Sequence, residues 1–374
     1  MSKAPWAAVA MLWATSAFPQ ASKGRFQNRD AWLLSNAKLR VTILQSGGHI
    51  GEIALTNEGA VNPLWIQSRP TIDIETYAPS KHASFYGGGS GARLMSGLMG
   101  HNLCFPFWGN PSPAEAAAGM TFHGETGVVR WRELAGGADT LTVTAQLSES
   151  GTSLTRTIRL KGQVVQVEET ARNEKAWDRP VGWCQHVTLG APFLERAVTQ
   201  MEASLTKGRT DGAASEFQWP SGMAEKTIDL RKVRGLPKSA GFVNNFLVDQ
   251  TRPYGYFAAY HPKYRLVFGY VFSRSDYPWL NIWESNAPEM LTRGMEFSNT
   301  PVHGTLKTLM RQPELWGVPT FDWLNAKGEL TKRFWAFSLR VPEGFQGVAN
   351  VQFRDARITV LEKASGRAYL IPTN

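Results

Sequence analysis

Short runs in which apolar and polar residues alternate are the dominant pattern along the chain. In "DTLTVTAQLSES" the apolar residues are Leu141, Val143, Ala145 and Leu147, so every second side chain is apolar. This alternation predicts a half-buried β-strand, because successive side chains of a strand point to opposite faces. The stretch "SLTRTIRLKGQVVQVEETARNE" contains two more such runs separated by "KGQ", which predicts a β-hairpin.

The same pattern continues towards the C-terminus, whereas helical periodicity is rare. "GYFAAYHPKYRLVFGYVF" is rich in aromatic and β-branched residues, and "NVQFRDARITVLEKASGRAYLI" predicts two further strands. The best helical segment, "SPAEAAAG" at 112–119, is short. With 35 glycines and 21 prolines available for turns, these runs predict an all-β protein built as a large antiparallel β-sandwich. No fixed-period repeat is present, which disfavours a propeller or a solenoid.

Composition and charge narrow the class of protein. Hydrophobic residues make up 43% and charged residues 19% of the chain, as in globular proteins with a sizeable core. The net charge is +9, but Lys and Arg are scattered, so we expect no nucleic acid as a partner. Two cysteines, Cys104 and Cys184, exclude a disulfide framework and multi-cysteine zinc patterns. A single disulfide between them remains open, although their apolar and aromatic neighbours favour buried free thiols.

The N-terminus resembles a secretory signal. It has one lysine, an apolar stretch from Trp6 to Trp13 and then small residues up to Ala21. We therefore predict a leader at 1–21, a single domain at 22–374, and a periplasmic or secreted protein. The alternative is a disordered or helical leader on a cytoplasmic protein. No later stretch reaches the ~18 apolar residues of a membrane span, so none is expected.

Several common motifs fail in context. "GGGSGA" at 87–92 has the glycines of a dinucleotide fingerprint without the βαβ frame, and "HGE" at 123–125 lacks the cysteine pair of a zinc deaminase. HExxH, G-x-S-x-G and P-loop patterns are absent from the sequence. We therefore expect neither a metal nor an organic cofactor. The glycine-rich segment at 86–100 predicts a loose loop with a functional role.

Three ionisable residues lie beside aromatic strands. They are His123 in "GMTFHGETGVVRW", His186 in "VGWCQHVTLGAPFLE" and Glu296 in "LTRGMEFSNTPVHG". Taken singly, each has a structural explanation, as a hydrogen-bonded strand residue or the solvent-facing member of an alternation. Their order along the chain is what points to a shared site.

In that order these motifs resemble the galactose mutarotase-like superfamily, which includes the aldose 1-epimerases. "GGHIGEIAL" at 47–55 resembles the early strand of the family, and the segment of His123 its first histidine-glycine motif. "RTIRLKGQVVQVEETARNEKAWDRPVGWCQHVTLG" resembles its central hairpin, asparagine turn and second histidine strand, and "RGMEFSNTP" the segment of its catalytic glutamate. The resemblance runs from about residue 38 to about residue 362 and implies a β-supersandwich.

The resemblance also implies an activity, the interconversion of sugar anomers by acid/base ring opening. It would make Glu296 the base, His186 the general acid at the ring oxygen and His123 a second donor that holds or polarises the sugar. Glu284 competes with Glu296 for the role of base and is also a candidate contact of the sugar. The expected partner is a small carbohydrate, and the chemistry needs no cofactor.

Further residues are predicted to contact the sugar. Trp108 and Trp283 are candidate stacking platforms, and His101 and Asn102, or alternatively Arg93, fall where the family has an arginine. Asn245 offers an amide close to Val243, which stands where the family has a sugar-binding aspartate. The valine puts galactose in doubt and leaves an acidic sugar open. Glu125 is expected to face solvent, with pairing to a histidine as the alternative.

Two other functions remain open from the sequence. One is a carbohydrate-binding protein without turnover on the same fold, which the loss of the aspartate at position 243 favours. The other is a polysaccharide lyase or hydrolase, which would need a tyrosine or paired carboxylates near the histidines.

Overall fold

The computed structural model describes residues 21–57, 59–223, 226–233, 242–287 and 290–374. Apart from Ala21, the leader predicted at 1–21 lies outside these residues. Within them, no helix is long and apolar enough to cross a membrane.

Antiparallel strands form most of the structure. In chain order they are β1 (Ser22–Phe26), β2 (Arg29–Ser35), β3 (Leu39–Leu44), β4 (Ile50–Leu55), β5 (His101–Cys104), β6 (Arg132–Gly136), β7 (Thr140–Leu147), β8 (Thr152–Lys161), β9 (Val164–Asn173), β10 (Arg179–Val181), β11 (Cys184–Gly190), β12 (Gln200–Ala203), β13 (Leu205–Thr210) and β14 (Glu216–Gln218). They continue with β15 (Ser221–Met223), β16 (Thr227–Asp229), β17 (Phe242–Val248), β18 (Tyr254–His261), β19 (Leu266–Ser273), β20 (Trp279–Ala287), β21 (Met290–Ser298), β22 (Glu314–Leu315), β23 (Val318–Pro319), β24 (Asp322–Leu324), β25 (Glu329–Arg340), β26 (Val348–Arg354), β27 (Arg357–Glu362) and β28 (Ala368–Pro372).

Helices are few and short. They are α1 (Pro79–Tyr86), α2 (Ala92–Met95), α3 (Pro113–Ala117) and α4 (Leu306–Arg311), with 3-10 turns at Ile74–Thr76 and Thr126–Val128. The predicted helix in "SPAEAAAG" is confirmed as α3. It begins with a capping box in which the Ser112 side chain accepts from the Glu115 amide while the Glu115 carboxylate accepts from the Ser112 amide.

Two large sheets pack face to face, which confirms the predicted all-β supersandwich. One sheet has eleven strands in the order β1-β2-β3-β4-β5-β11-β21-β20-β17-β13-β14, and the other has eight in the order β12-β18-β19-β25-β9-β8-β7-β6. The predicted hairpin is confirmed as β8 and β9. Side chains from both sheets meet in one core, where for example the rings of Tyr270 and Phe297 lie 5.5 Å apart.

The C-terminal segment forms three strands rather than the two expected from its sequence. Strands β26, β27 and β28 make a small sheet that packs on the outer face of the eight-stranded sheet. The third strand, in "RAYLIP", is mostly exposed. Its sequence therefore lacks the clear alternation of apolar and polar residues that marks a half-buried strand.

Strand β11 is buried on both faces, which is unusual for an antiparallel strand. Gln185, Val187 and Leu189 point into the sandwich, whereas Cys184, His186 and Thr188 point to the opposite face of the eleven-stranded sheet. Loops cover that opposite face. The candidate site lies under this cover.

A buried polar network joins the two sheets directly behind β11. Arg156 Nε donates to Glu169 Oε1 at 2.7 Å, and Gln185 Nε2 donates to Glu169 Oε2 at 2.5 Å. Gln185 Oε1 lies 2.8 Å from Nε2 of His101, whose Nδ1 lies 3.2 Å from the Tyr270 hydroxyl. These contacts link β8, β9 and β19 of one sheet to β5 and β11 of the other. We call these five residues the intersheet network.

Both cysteines are free and buried, as expected for thiols in apolar surroundings. Cys104 on β5 lies opposite Cys184 on β11, and Trp108 packs against the pair.

Candidate functional site

A pocket of about 220 Å³ lies on the face of the eleven-stranded sheet that points away from the sandwich core. Its size suits a single sugar ring better than a long chain, since pockets for drug-sized ligands usually measure about 300 to 1,000 Å³. The residues that line it are Trp65, Met95, Leu98, Trp108, Phe122, His123, His186, Thr188, Val243, Trp283, Glu296 and His303.

His186 and Glu296 form the floor of the pocket. They lie opposite each other on the adjacent strands β11 and β21, since the neighbouring residues Gln185 and Phe297 are paired in the register. Nε2 of His186 is 3.0 Å from Oε1 of Glu296. At this distance the two atoms can share a proton, and within the described residues Oε1 has no other hydrogen-bond partner. The Glu296 side chain lines the pocket, and its Oε1 is buried against His186.

Burial sets the protonation of this pair. Removal from water disfavours a charged carboxylate and so raises the pKa of Glu296 well above its usual value. Burial also lowers the pKa of His186 to about 4, because a charged imidazolium would lose its hydration. Nδ1 of His186 lies 3.2 Å from the hydroxyl of Thr188, which orients the ring. Burial therefore favours the uncharged form of each member of the pair.

His123 is held by the backbone of Gly109. The amide of Gly109 donates to Nδ1 of His123 at 3.0 Å, and the amide of His123 donates to the Gly109 carbonyl oxygen at 2.8 Å. Because Nδ1 accepts a hydrogen bond, the proton of the neutral ring must be on Nε2. Burial lowers the pKa of His123 well below its usual value, and the nearby His186 and His303 lower it further. His123 is thus a neutral donor, with its ring 5.1 Å from that of His186.

A positive φ of 65° places His123 in the left-handed region, which costs energy for a residue with a Cβ. The two hydrogen bonds to Gly109 hold it there. Such strain at a pocket wall is common where a side chain must point in one direction.

A third histidine of the pocket, His303, was not predicted from the sequence. Its ring lies 6.0 Å from that of His123 and 4.7 Å from that of Trp108. Behind it, Oδ2 of Asp211 is 4.0 Å from Nδ1 of His303. Burial lowers the pKa of His303, and the Asp211 carboxylate opposes this shift. His303 follows closely in the segment of Glu296, but Asp211 is remote in sequence and gave no signal.

Trp108 and Trp283 line the pocket, as expected of stacking platforms. Val243 also lines it, so the position that the resemblance assigns to a sugar-binding aspartate does face the site. The glycine-rich segment at 86–100 contributes Met95 and Leu98 to the wall, and part of that segment is the helix α2 rather than an open loop.

Five predicted sugar contacts do not line the pocket. His101 points into the sandwich as part of the intersheet network. Arg93 donates to the carbonyl oxygen of Val128 at 3.2 Å, outside the pocket. Glu284 is buried in an ion pair with Arg293, whose Nε donates to Oε2 of Glu284 at 2.8 Å, so it does not compete with Glu296 at the site.

The two remaining residues, Asn102 and Asn245, are on the correct face of the sheet but beneath its cover. Asn102 lies opposite His186 in the register of β5 and β11, and its Nδ2 is 3.7 Å from the sulfur of Cys104. Asn245 donates to the carbonyl oxygen of Pro301 at 2.8 Å, so the loop after β21 covers it.

Glu125 was expected to face solvent but is buried. Its carboxylate accepts hydrogen bonds at 3.0 Å from the amides of Glu149 and Ser150, which fixes the turn between β7 and β8. The described residues contain no group of three or more His, Cys, Asp or Glu side chains that could hold a metal ion.

Comparison with known proteins gives the fold. No protein-family model and no curated protein matches the sequence. Among solved structures, the chain is similar to the Slr1438 protein of Synechocystis, with 13% identity, a TM-score of 0.59 and coverage of 88% of this chain and 100% of that one. It is also similar to a galactose mutarotase related enzyme from Lactobacillus acidophilus, with 10% identity, a TM-score of 0.56 and coverage of 84% and 99%. The chain has the galactose mutarotase-like fold. A galactose mutarotase-like protein from Clostridium acetobutylicum gives a similar result, with 11% identity, a TM-score of 0.57 and coverage of 87% and 99%. At such identities the likeness extends to the mutarotase-like fold and no further.

Proposed function

We propose that the protein interconverts the α and β anomers of a small free aldose by acid/base opening and closing of the sugar ring. The observation that carries this proposal is the buried contact of 3.0 Å between His186 and Glu296 at the floor of a pocket sized for one sugar ring. The mutarotase-like fold is consistent with it.

The reaction needs one proton acceptor and one proton donor close together. A proton leaves the hydroxyl on C1 while another reaches the ring oxygen, so the bond from C1 to the ring oxygen breaks and C1 becomes a carbonyl carbon. Rotation about the bond between C1 and C2 followed by the reverse transfers gives the other anomer. Both oxygens are bonded to C1, so groups only 3.0 Å apart can reach them together. His123, with its proton on Nε2, would hold or polarise the sugar.

One mobile proton shared by the pair supplies both roles. With the proton on His186, the histidine is the acid and the Glu296 carboxylate is the base, as the resemblance implies. Transfer of that proton to Glu296 leaves both side chains uncharged, which is the form that burial favours. The number of protons on the pair is the same in the two forms. The active form of the pair is therefore the one that carries a single mobile proton.

This proton count predicts a bell-shaped dependence of kcat/KM on pH. Activity is lost on the acid side as His186 takes up a second proton, which its lowered pKa places near pH 4. On the alkaline side, activity is lost when the pair releases its last mobile proton. Because the pKa of Glu296 is raised, this loss occurs at a pH above the usual range of a carboxylic acid. Initial rates, corrected for spontaneous anomerisation in each buffer, test this. An acid limb centred near the ordinary histidine value of about 6.5 would contradict it.

Gly294 makes room for the Glu296 carboxylate. A Cβ at position 294 would lie 2.6 Å from Oε1 of Glu296 and 3.2 Å from the Trp283 ring. We expect Gly294→Ala to displace the carboxylate and to lower kcat/KM by about tenfold or more, since small misplacements of a reacting group are costly. The control is Gly137→Ala, where the added Cβ would meet only Thr140 at 3.5 Å. Equal activity of the two variants would count against this role of Gly294.

The proposal is tested directly by the optical-rotation decay of freshly dissolved α-anomers of several aldoses, with two-dimensional NMR exchange between the anomeric protons as a second readout. We expect acceleration above the spontaneous rate for at least one aldose. Binding without acceleration would favour the carbohydrate-binding alternative. A lyase or hydrolase is less well supported, because Glu296 is the sole carboxylate among the described pocket-lining residues and none of them is a tyrosine.

A further inference from the structure

We infer that the substrate of this pocket is an aldose that has lost or capped most of its hydroxyl groups, such as a deoxy or O-methyl sugar, rather than a fully hydroxylated or anionic one. This inference rests on the proposed function and names its substrate class. It follows from how apolar and polar groups are distributed around the pocket.

Two apolar clusters form the walls. The first contains Trp65 and Leu98, with Met95 and Phe122 packed against them. The second contains Trp108, with Val243 packed against it, and Trp283 lies beside Val243 in the register of β17 and β20. These seven residues are the majority of the twelve that line the pocket. A sugar ring held between these walls meets carbon atoms over most of its surface.

The polar groups form one connected patch. Glu296 contacts His186, whose ring lies 5.1 Å from that of His123, which in turn lies 6.0 Å from that of His303. The hydroxyl of Thr188 is taken up by Nδ1 of His186. The patch can serve the anomeric hydroxyl and the ring oxygen, but it leaves few partners for hydroxyls on the rest of the ring.

The energetic consequence is a strong penalty for extra hydroxyls. A hydroxyl that leaves water and finds no partner costs roughly 1 to 3 kcal/mol, and about 1.4 kcal/mol corresponds to tenfold in an equilibrium or rate ratio. Each hydroxyl that faces an apolar wall should therefore lower kcat/KM by about tenfold. Removing or methylating it should restore that factor, because the pocket gains apolar contact instead.

The same walls disfavour a negative charge. None of the twelve described lining residues is Lys or Arg, and Glu296 itself is acidic. A uronate or a sugar phosphate would lose the hydration of its charge without gaining a cationic partner. The net charge of +9 therefore does not bear on the substrate, since it resides outside this pocket.

The experiment compares D-glucose with 2-deoxy-D-glucose, 6-deoxy-D-glucose, 2,3-di-O-methyl-D-glucose and D-glucuronate. The first readout is kcat/KM for anomer exchange by NMR. We expect at least one deoxy or methylated aldose to exceed glucose by about tenfold or more, and glucuronate to be the poorest substrate. A glucose or glucuronate value equal to or above all the others would overturn the inference while leaving the proposed function in place.

Two variants at position 243 sharpen the test. Val243→Asp adds a hydrogen-bond acceptor to the wall. We expect the kcat/KM of glucose, divided by that of the best deoxy or methylated sugar, to increase by about tenfold in this variant. Val243→Leu keeps the wall apolar, and we expect it to keep the preference of the wild type. An unchanged ratio in Val243→Asp would contradict the claim that this wall sets the preference.

Binding separates the inference from the proposed function. Trp65, Trp108 and Trp283 line the pocket, so ligand binding can be followed by tryptophan fluorescence. If no sugar is anomerised but the deoxy or methylated sugars bind more tightly than glucose, the ligand class stands and the proposed function falls. If glucose binds as tightly as they do, the inference falls whatever the activity.

Discussion

Replacement of Glu296 by Gln should abolish anomer interconversion with little change in the fold. The amide has the size of the carboxyl group but cannot act as a proton acceptor or carry the mobile proton shared with His186. Acid/base groups typically contribute about 10² to 10⁴-fold each, and we expect a loss of kcat in that range. The measurement is the rate of exchange between anomers of the best aldose substrate, under saturating conditions.

The stability of the same variant distinguishes a catalytic role from a structural one. In the wild type Glu296 is buried without a cationic hydrogen-bond partner, and burial raises its pKa. The ionised carboxylate therefore destabilises the fold, whereas a glutamine at this position is uncharged at every pH. Glu296→Gln should therefore unfold at the same temperature as the wild type or a higher one. A large loss of activity together with a lower Tm would point instead to a residue that supports the fold.

A double variant completes this test. If His186 and Glu296 share one proton, the pair acts as a unit, and residues that act as a unit show non-additive losses. We expect His186→Gln combined with Glu296→Gln to lose no more activity than either single variant. Losses that multiply would show that the two residues act in separate steps.

The second large effect that we expect is a loss of stability when Glu169 of the intersheet network is replaced. Glu169 is fully buried and accepts hydrogen bonds from Arg156, Gln185 and the indole of Trp183. Glu169→Ala would leave the buried Arg156 without its anionic partner. Breaking a buried pair in this way costs about 3 to 5 kcal/mol. Urea denaturation, with the midpoint and the slope reported separately, measures this loss.

The adjacent residue provides a matched control. Glu168 is on the same strand but points outwards, where its Oε2 accepts from Nε of Arg333 at 2.6 Å. The side chain of Glu168 is 39% exposed and that of Arg333 60%. Exposed pairs contribute about 0 to 1 kcal/mol, so Glu168→Ala should have a small effect. Similar destabilisation by the two variants would contradict the special role assigned to the intersheet network.

Alternation along the strands allowed the fold to be predicted, and the same rule accounts for some of the residues that the sequence analysis misplaced. Adjacent residues of a strand point to opposite faces, so Trp283 and Glu284 could not both line one pocket. The same holds for His101 and Asn102. Trp283 and Asn102 are on the pocket side of the sheet, while His101 points into the sandwich and Glu284 pairs with Arg293. β5 is buried on both faces and β20 has apolar residues on both, so their apolar positions alone do not mark the pocket side.

Other parts of the site could not be read from the sequence. Asp211 reaches His303 only because the turn after β13 and the loop after β21 meet above the sheet. Burial of Glu125 depends on two backbone amides at the turn between β7 and β8, a contact that side-chain patterns do not encode. Such contacts between remote loops arise from the tertiary fold, and single-residue patterns carry no record of them.

The held orientation of His123 has a consequence for how this protein can change. Both hydrogen bonds that hold it use backbone atoms of Gly109, and the floor residues belong to strands in fixed register. The wall residues Trp65, Met95, Leu98 and Phe122 belong to loops and one short helix. Exchanging the wall side chains therefore leaves His123, His186 and Glu296 in place. Libraries randomised at these four positions can therefore change the ligand while the proposed acid/base groups keep their positions.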